Sequence, residues 1–342
     1  MGKNITIYDL AKQLNVSPGT VSRSLNDHPS ISQKTKERVI SKARELDYKV
    51  NKFAVNLRTQ KSKTIGVIIP KLNSYFVSTL LAGIEKVANE AGYNIIISQS
   101  LESMEKEKMN AKTLFNSGVD ALLVSLAYDT DNYDHFDAYI KSNIPLIFMD
   151  RVHNLPNCPT IVIDNVMAGF EATNHLISQG CKNILLVGGH LKRNVYGDRF
   201  LGYKKALEQS KQVFKKTNLL ETDMEPQNVN DVIAYIKNLK KPVDGLFILS
   251  DSFASHCIKE LKKENFKIPE DIKVIGFNND PISELITPTL STIDYQGYNM
   301  GLLAGESIIS QLKGNINLQT TNTISLRHQL IIRESSLKLS FP

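Results

Sequence analysis

The sequence predicts an all-α helix-turn-helix headpiece followed by a much longer α/β region built on parallel sheets. Three observations support this prediction. In residues 1–49, apolar residues recur at helical spacing in three short segments. Beyond Lys63, short apolar runs alternate with amphipathic stretches, a pattern typical of strands wrapped by helices. Residues 1–63 also contain thirteen Lys and Arg against five Asp and Glu, a net charge of +8, whereas the whole chain carries +6 and the remainder therefore sums to −2.

The first two helices are predicted from their caps and their apolar spacing. Thr6 is placed to cap the first helix. Its apolar residues, spaced i, i+3, i+4 and i+7, are Ile7, Leu10, Ala11 and Leu14. After a short break, Ser17 caps a second helix and Pro18 occupies its first position, where a missing N–H costs nothing. Val21 and Leu25 then face inward, which leaves the opposite face of this helix free.

A third helix, capped by Ser32 and packed through Val39, Ala43 and Leu46, is expected to brace the pair. Such an arrangement is a helix-turn-helix, whose second helix enters the major groove of DNA. The alternative is a plain three-helix bundle. The positive charge favours DNA binding, because phosphate neutralisation requires it and a structural bundle does not.

The longer region is predicted to contain buried parallel strands joined by helices. The predicted strands are 64–70, 93–98, 121–125, 145–149, 183–187, 245–249 and 273–276. The predicted helices are 78–91, 105–116, 166–179, 197–209, 229–239, 251–264 and 297–311. A region of this length is expected to divide into two parts, because single hydrophobic cores stop growing at this size.

Composition and motifs exclude several classes of protein. The N-terminus shows no signal peptide and no apolar run approaches the roughly 18 residues that span a bilayer, so we expect a cytoplasmic protein without membrane contact. The three cysteines, Cys158, Cys181 and Cys257, are odd in number and lack CxxC spacing, so no disulfide framework, metal site or cofactor is expected. Phosphate-loop, dinucleotide, nucleophile-elbow and zinc-protease motifs are also missing, so the sequence does not predict an enzyme.

Several motifs resemble the LacI/GalR (lactose-repressor) family of transcriptional regulators, and the similarity runs over nearly the whole chain. In the headpiece they are Thr6-Ile7-Tyr8-Asp9-Leu10-Ala11, Val16-Ser17-x-x-Thr20-Val21-Ser22-Arg23-x-Leu25-Asn26 and Leu46-Asp47-Tyr48. Downstream they are Ile65-Gly66-Val67-Ile68-Ile69-Pro70, Ile163-Asp164-Asn165, Arg199-x-x-Gly202-Tyr203 and Ile275-Gly276-Phe277.

The resemblance assigns DNA-contacting roles within the headpiece. Pro18, Gly19 and Arg23 match base-reading positions, and Arg23 can bridge the two acceptors of a guanine edge. The positions that match phosphate-holding residues are Ser17, Thr20, Ser22 and Asn26, and Thr6 is grouped with them. For Arg23, a contact to phosphate alone is the alternative.

The segment from Asn51 to Leu57 resembles the hinge helix of the family, in which Ala54 and Leu57 would contact the minor groove and Leu57 would wedge between base steps. A helix this short is expected to form only when two copies meet on DNA, since helices below about 12–15 residues rarely persist alone. Val55 stands where the family often has Arg. A plain linker is the alternative interpretation.

By resemblance, the long region adopts a periplasmic-binding-protein-like fold of two doubly wound parallel-sheet lobes. The predicted domains are a helix-turn-helix domain over 1–49, a hinge helix and linker over 50–63, and an effector-binding and dimerisation domain over 64–342. The N-terminal lobe would comprise about 64–162 and 293–326, and the C-terminal lobe about 163–292 and 327–342. Three chain crossings are expected near residues 161–164, 291–294 and 325–329.

Ligands of open parallel sheets bind at the carboxyl ends of the strands, so residues just after strands are the effector candidates. They are Ser74, Tyr75, Phe76, Asp150, Asp164, Arg193, Arg199, Asp251 and Asn278. The family match independently marks Asp150, Arg199 and Asn278. Two departures affect the pocket: Asn278 stands where many relatives have Asp, and Tyr295-Gln296 replaces a common Gln-Pro.

Structural roles compete at some of these positions. Asp164 and Asp251 could each be a helix N-cap, and Phe76 could belong to the core. The residue types suit a sugar, sugar acid or sugar phosphate, because aromatic faces cover an apolar ring surface while polar groups hold hydroxyls. A nucleobase or a phosphorylated carrier protein are the alternative effectors.

The combined interpretation is a sequence-specific DNA-binding regulator, most simply a repressor, that is controlled by a small effector. We expect a homodimer on a pseudo-palindromic operator in double-stranded DNA, because one headpiece makes too few base contacts for specificity. A solute-binding protein without DNA activity shares the expected fold but gives no reason for the basic headpiece.

Overall fold

A computed structural model describes residues 5–48, 61–153, 155–156, 158–317, 320 and 322–337. The chain divides into two compact units, Met1–Ser62 and Lys63–Pro342. The predicted all-α headpiece corresponds to the first unit, and the predicted α/β region corresponds to the second.

The first unit contains three helices among its described residues: α1 (Ile7–Leu14), α2 (Pro18–Leu25) and α3 (Gln33–Glu45). Each begins with a hydroxyl-bearing cap, namely Thr6, Ser17 and Ser32. The three helices surround a small core, whose buried apolar residues are Leu10, Ala11, Val21, Val39 and Ala43. The core therefore draws on all three helices, as their apolar spacing predicts.

The second unit contains a six-stranded parallel sheet. Its strands are β1 (Thr64–Ile69), β2 (Asn94–Gln99), β3 (Ala121–Val124), β4 (Leu146–Met149), β5 (Thr160–Ile163) and β11 (Thr323–Leu326). Their order is β11-β5-β4-β3-β1-β2. The accompanying helices are α4 (Tyr75–Glu90), α5 (Met104–Asn116), α6 (Asp137–Lys141) and α12 (Gly297–Leu312). Strands β3 and β4 are buried along their whole length, as central parallel strands covered on both faces should be.

A second parallel sheet has four strands in the order β7-β6-β8-β9. They are β6 (Ile184–Gly188), β7 (Leu219–Glu221), β8 (Gly245–Ile248) and β9 (Lys273–Ile275). Its helices are α7 (Asn165–Ser178), α8 (Asn194–Gln209), α9 (Val229–Asn238), α10 (Asp251–Lys263) and α11 (Ile282–Leu285). Two doubly wound lobes were predicted, and the two sheets confirm that fold class.

The chain passes between the sheets at three places. It leaves the six-stranded sheet after β5 and returns to that lobe after β10 (Thr292–Asp294). It crosses again between β11 and β12 (Gln329–Ile331), and β12 pairs antiparallel with β10. The C-terminal end of the described chain then packs on the second lobe, where the Ser335 hydroxyl donates to the Val274 carbonyl oxygen.

Some element boundaries differ from the prediction. Helix α4 begins at Tyr75 rather than 78, and α8 begins at Asn194 rather than 197. The N-cap residues are Ser74 for α4 and Arg193 for α8, and neither side chain makes a capping hydrogen bond. Strand β7 was not predicted, because three residues at a sheet edge leave little periodicity to detect.

Within the described ranges, the helices are all too short or too polar to cross a lipid bilayer. Cys158, Cys181 and Cys257 are buried thiols, and burial raises the pKa of Cys257 to about 12.

Candidate nucleic-acid interface and ligand cleft

The N-terminus of α2 presents hydroxyl groups held by the cap. The backbone N–H of Thr20 donates to the Ser17 hydroxyl oxygen at 3.0 Å, and the two side-chain hydroxyls are 2.9 Å apart. Ser17 is exposed and Thr20 is half-buried. Hydroxyls and free backbone N–H groups at a helix N-terminus form a natural site for a phosphate, because the helix dipole favours negative charge there.

Arg23 is exposed one turn further along α2. Its Nε donates to the Gly19 carbonyl oxygen at 3.2 Å, so the guanidinium lies back along the helix over Gly19. A Cβ at Gly19 would lie 3.5 Å from the Arg23 Nη2. The arginine therefore presents its terminal nitrogens beside Gly19, another of the predicted base-reading positions.

The remaining headpiece candidates are engaged locally. The Thr6 hydroxyl donates to Asp9 Oδ2 at 2.7 Å within a capping box. The Asn26 amide donates to the Ser22 carbonyl oxygen at 2.9 Å and stays exposed. Ala54 and Leu57, the predicted minor-groove residues, lie outside the described residues, as does the rest of 50–60.

The second unit has a pocket of about 200 Å³ between its two sheets, at the carboxyl ends of the strands. Five of the predicted effector residues line it: Ser74, Phe76, Asp150, Arg199 and Asn278. The other lining residues are Pro70, Lys71, Asn73, Val77, Glu102, Arg151, Val195, Tyr196, Asp223, Met224, Glu225, Leu249, Ser250 and Tyr295. Residues from both lobes therefore share one cleft, as the rule for open parallel sheets predicts.

Arg199 is the central cation of this pocket. It is buried, and its Nε donates to the Asn165 side-chain oxygen at 2.8 Å. Its guanidinium carbon lies 3.5 Å from the centre of the Phe277 ring. Burial lowers the pKa of Arg199, and the negative charge of Asp150 acts in the opposite direction. The guanidinium is thus held by an amide and an aromatic face rather than by a salt bridge.

Close helix packing fixes the backbone that carries Arg199. A Cβ at Gly169 in α7 would overlap the Arg199 carbonyl oxygen in α8, and a Cβ at Gly202 would overlap the carbonyl oxygen of Val166. Because these glycines let the two helices touch through their backbones, the position of the guanidinium is set by α7 as well as by α8.

Asp150 is the buried carboxylate of the pocket. The Ser125 hydroxyl donates to its Oδ2 at 3.1 Å, and the Tyr295 hydroxyl donates to its Oδ1 at 2.5 Å. The backbone of Asp150 has a φ of 62°, which turns the chain sharply at the end of β4. Both carboxylate oxygens are therefore already engaged by protein hydroxyls.

Four predicted effector residues do not line this pocket: Tyr75, Asp164, Arg193 and Asp251. Tyr75 is the exposed first residue of α4. The Asp164 side chain caps α7 by accepting from the Met167 N–H at 2.8 Å. In this structure Asp164 is therefore a helix N-cap, which was the structural alternative for this residue.

Asp251 is wholly buried below the cleft. Its carboxylate accepts a hydrogen bond from the Thr292 hydroxyl at 2.7 Å and another from the Asp280 N–H at 2.8 Å. Burial raises its pKa to about 7. Ser250, rather than Asp251, caps α10. The carboxylate thus ties β10 to the loop after β9 and does not face the pocket.

Arg193 joins the lobes instead of facing the pocket. Its Nη2 donates to the Thr130 carbonyl oxygen in the other lobe. The neighbouring Asn194 also spans the lobes, because its amide donates to the Asp150 carbonyl oxygen at 3.0 Å. The Val152 N–H donates back to the Asn194 side-chain oxygen at 3.0 Å. The start of α8 is therefore a docking point for the first lobe.

Besides the predicted effector residues, several charged side chains line the pocket. Lys71 and Glu225 form a 2.8 Å ion pair across the cleft, and Arg151 pairs with Glu102 at 2.6 Å. Tyr196 lies three residues before Arg199 on the same helix, so helical spacing could have identified it. Glu102 lies four residues after the predicted strand 93–98, whereas Glu225 follows no predicted strand and only the folded chain brings it to the pocket.

A larger cavity, of about 500 Å³, lies at the amino ends of β6 and β8. It is lined by Lys182, Asn183, Ile184, Tyr203, Leu207, Gln212, Val213, Lys215, Asn218, Lys241, Pro242 and Asp244. None of the predicted effector residues lies there. Because ligands of such sheets bind at the carboxyl ends of the strands, the smaller pocket between the lobes is the candidate ligand site.

Comparisons with known proteins agree with this architecture. Residues 6–51 match the model of bacterial regulatory proteins of the lacI family, and residues 173–336 match a periplasmic binding protein-like domain. The chain is 30% identical to the HTH-type transcriptional regulator RegA of Clostridium saccharobutylicum, over 97% of this chain and 99% of that protein. It is 28% identical to a ribose operon repressor of Halalkalibacterium halodurans, over 97% of each.

A solved structure shows the same fold. The lac repressor dimer bound to operator and an anti-inducer superposes with a TM-score of 0.87 and 23% identity, covering 98% of this chain and 100% of that one. A headpiece of this type joined to a two-lobed periplasmic-binding-like unit defines a class of DNA-binding transcriptional regulators, not enzymes. This chain belongs to the LacI family, which confirms the resemblance in its motifs.

Proposed function

We propose that this regulator is a repressor that binds a pseudo-palindromic operator as a homodimer, and that a sugar or sugar derivative between the lobes controls the binding. The pocket composition carries the ligand part of the proposal. Asp150 and Arg199 share one pocket with the aromatic rings of Phe76 and Tyr295. Such a set suits a compact polyhydroxylated molecule, because rings cover its apolar face and the Arg199 guanidinium donates hydrogen bonds to its hydroxyls. The relative named as a ribose operon repressor supports the same ligand class.

The DNA part of the proposal rests on α2. Arg23 reads base edges from the exposed face of this helix, while Ser17 and Thr20 hold a phosphate at its N-terminus. Two headpieces on one operator provide enough base contacts for specificity. The chain divides, in this proposal, into a DNA-binding domain over 1–49, a hinge over 50–63 and a ligand-binding domain over 64–342.

Dimerisation is proposed through the ligand-binding domain. Strand β2 forms one edge of the six-stranded sheet, and its Ile96 and Ile97 are 42% and 39% exposed. An apolar sheet edge left open to water favours association, and a second copy of the chain is the occupant that a two-fold operator requires. The solved lac repressor relative is described as a dimer.

Control is proposed to act through the relative position of the lobes. The Lys71–Glu225 ion pair and the contacts of Arg193 and Asn194 hold the lobes together around the pocket. A ligand that binds one lobe arrangement better than another shifts the equilibrium between them by its difference in affinity. The hinge segment 50–63 would transmit that shift to the headpieces.

The test uses the full chain and a duplex selected by the protein from a random-sequence library. Fluorescence anisotropy at roughly 150 mM salt should give a Kd at least 10³-fold lower for the selected duplex than for its scrambled form. One of D-ribose, D-glucose or D-gluconate should change that Kd. Equal affinity for both duplexes would contradict the DNA part. A response only to hypoxanthine would replace the sugar with a nucleobase.

A further inference from the structure

Tyr295 lines the ligand pocket, at a position that the sequence marked only as a departure from the family. Its ring stacks on Phe76 with centroids 4.4 Å apart and an interplanar angle of 20°. On the opposite lobe it meets Phe277 edge-on at 5.6 Å, and the Arg199 guanidinium carbon lies 4.9 Å from its centroid. The ring is 2% exposed. One side chain of the protein thus fills space between the two lobes where a ligand ring could stack.

The hydroxyl of Tyr295 engages the polar anchor of the pocket. It donates to Asp150 Oδ1, while Ser125 donates to Oδ2. Burial, reinforced by the charge of Asp150, raises the pKa of the Tyr295 phenol well above its ordinary value. The phenol therefore remains a donor at physiological pH, and it satisfies the carboxylate as a ligand hydroxyl would.

The backbone on both sides holds Tyr295 in place. Strand β10 ends at the preceding residue, where Asp294 pairs with Gln329. The next residue, Gln296, has a φ of 44° and its amide donates to the Arg327 carbonyl oxygen at 3.0 Å. At Gly297 a Cβ would lie 2.7 Å from the Phe76 carbonyl oxygen, so the start of α12 is pressed against α4. With its backbone fixed in this way, the ring has little freedom to leave the pocket.

We propose that Tyr295 is a specificity-determining residue of the cleft: it takes the place of a ligand hydroxyl at Asp150 and restricts the effector to molecules that bind beside its ring, on the Arg199 side. This inference rests on the proposed ligand-binding function of the pocket. Sugars that depend on a hydrogen bond to Asp150 are excluded from the unmodified protein. Removing the phenol returns that acceptor to the ligand.

Two substitutions separate the hydroxyl from the ring. Tyr295→Phe keeps the stacking on Phe76 and frees Asp150 Oδ1, whereas Tyr295→Gln also opens the space of the ring. Tyr298→Gln is the matched control, because Tyr298 lies in α12, is 40% exposed and does not line the pocket. Calorimetry with D-ribose and with D-glucose, on the full chain without DNA, measures binding directly. Thermal melting verifies that each variant is folded.

The expected result is that the affinity for at least one of the two sugars rises at least tenfold in Tyr295→Gln and by a smaller factor in Tyr295→Phe. Tyr298→Gln should match the unmodified protein. The proposal is overturned if neither sugar binds more tightly to a Tyr295 variant than to the unmodified protein. Equal, lower and undetectable affinities all count as this outcome. If Tyr295→Gln does not fold, the sugar affinity of Tyr295→Phe decides the test: a rise supports the proposal, and no rise contradicts it. This experiment contains no DNA. A negative result for the sugars therefore does not affect the separate test of protein binding to the selected duplex.

Discussion

The guanidinium carbon of Arg199 lies 3.5 Å from the centre of the Phe277 ring, directly in the cleft between the two lobes. The side chain is 3% exposed, and its Nε donates a hydrogen bond to the Asn165 side-chain oxygen. A buried cation held by a ring and an amide keeps its charge available to oxygen atoms of a ligand, which distinguishes Arg199 from Arg151, whose charge is paired with Glu102.

Arg199→Met should abolish ligand control while preserving the fold. Methionine has a similar length and can pack on Phe277, but it cannot donate hydrogen bonds. We expect any sugar that changes DNA binding to bind at least tenfold more weakly, because a hydrogen bond to a charged group is worth about 1.5–3 kcal/mol. Calorimetry measures this, with Lys205→Met on the exposed side of α8 as the control. Unchanged sugar affinity in Arg199→Met would remove Arg199 from the site.

Arg23→Ala should weaken binding to the selected duplex far more than to a scrambled one. A bidentate contact to guanine is worth about 1–3 kcal/mol of discrimination, which corresponds to roughly 5- to 150-fold in Kd. Arg44→Ala in α3 removes the same charge from a different helix and should lower both affinities to a similar, smaller extent. Equal losses on the two duplexes for Arg23→Ala would instead identify a phosphate contact.

Substitutions at Ser17 should separate helix capping from phosphate binding. Ser17→Ala removes the acceptor for the Thr20 N–H and should destabilise the headpiece by about 0.5–2 kcal/mol. Ser17→Asp restores the cap and complements the helix dipole, so thermal stability should be retained. DNA affinity should nevertheless fall in Ser17→Asp, since a carboxylate would face phosphate. If Ser17→Asp binds DNA normally, Ser17 has a structural role only.

Asp251 should make stability depend on pH. Burial raises the pKa of its carboxyl from 3.8 to about 7, so the folded state holds an extra proton between these values. Stability contributed by this group therefore falls as pH rises from about 4 to about 7 and stays level above that. Urea unfolding at several pH values should show this slope relative to Asp251→Asn, while the exposed Asp131→Asn behaves like the unmodified chain. Parallel profiles for Asp251→Asn and the unmodified chain would assign the slope to other groups.

The headpiece shows how far local sequence signals reach. Ser17, Pro18 and the spacing of Val21 predicted where α2 begins and which face it buries, because caps and helical periodicity act within one or two turns. One detail was missed: Ser24 is buried, and its hydroxyl donates to the Thr20 carbonyl oxygen at 2.8 Å, which satisfies its polarity inside the core.

The cleft shows where local signals end. The strand-end rule selected Asp150 and Arg199 for the pocket, but it selected Asp164 and Asp251 with equal force. Whether a carboxylate at a strand end faces a ligand depends on what else lies within hydrogen-bonding distance. Met167 lies three residues after Asp164, so helix capping was a predictable alternative there, whereas Thr292 reaches Asp251 from 41 residues away.

The sequence alone determined the helix-turn-helix headpiece, the alternation of strands and helices and the family, since each is encoded in residues a few positions apart. Only the tertiary structure decided which polar groups share the pocket: Tyr295 with Asp150, Lys71 with Glu225 and Arg151 with Glu102. These pairs join segments that are distant in the sequence. Their geometry follows from the packing of two lobes, between which the chain crosses three times.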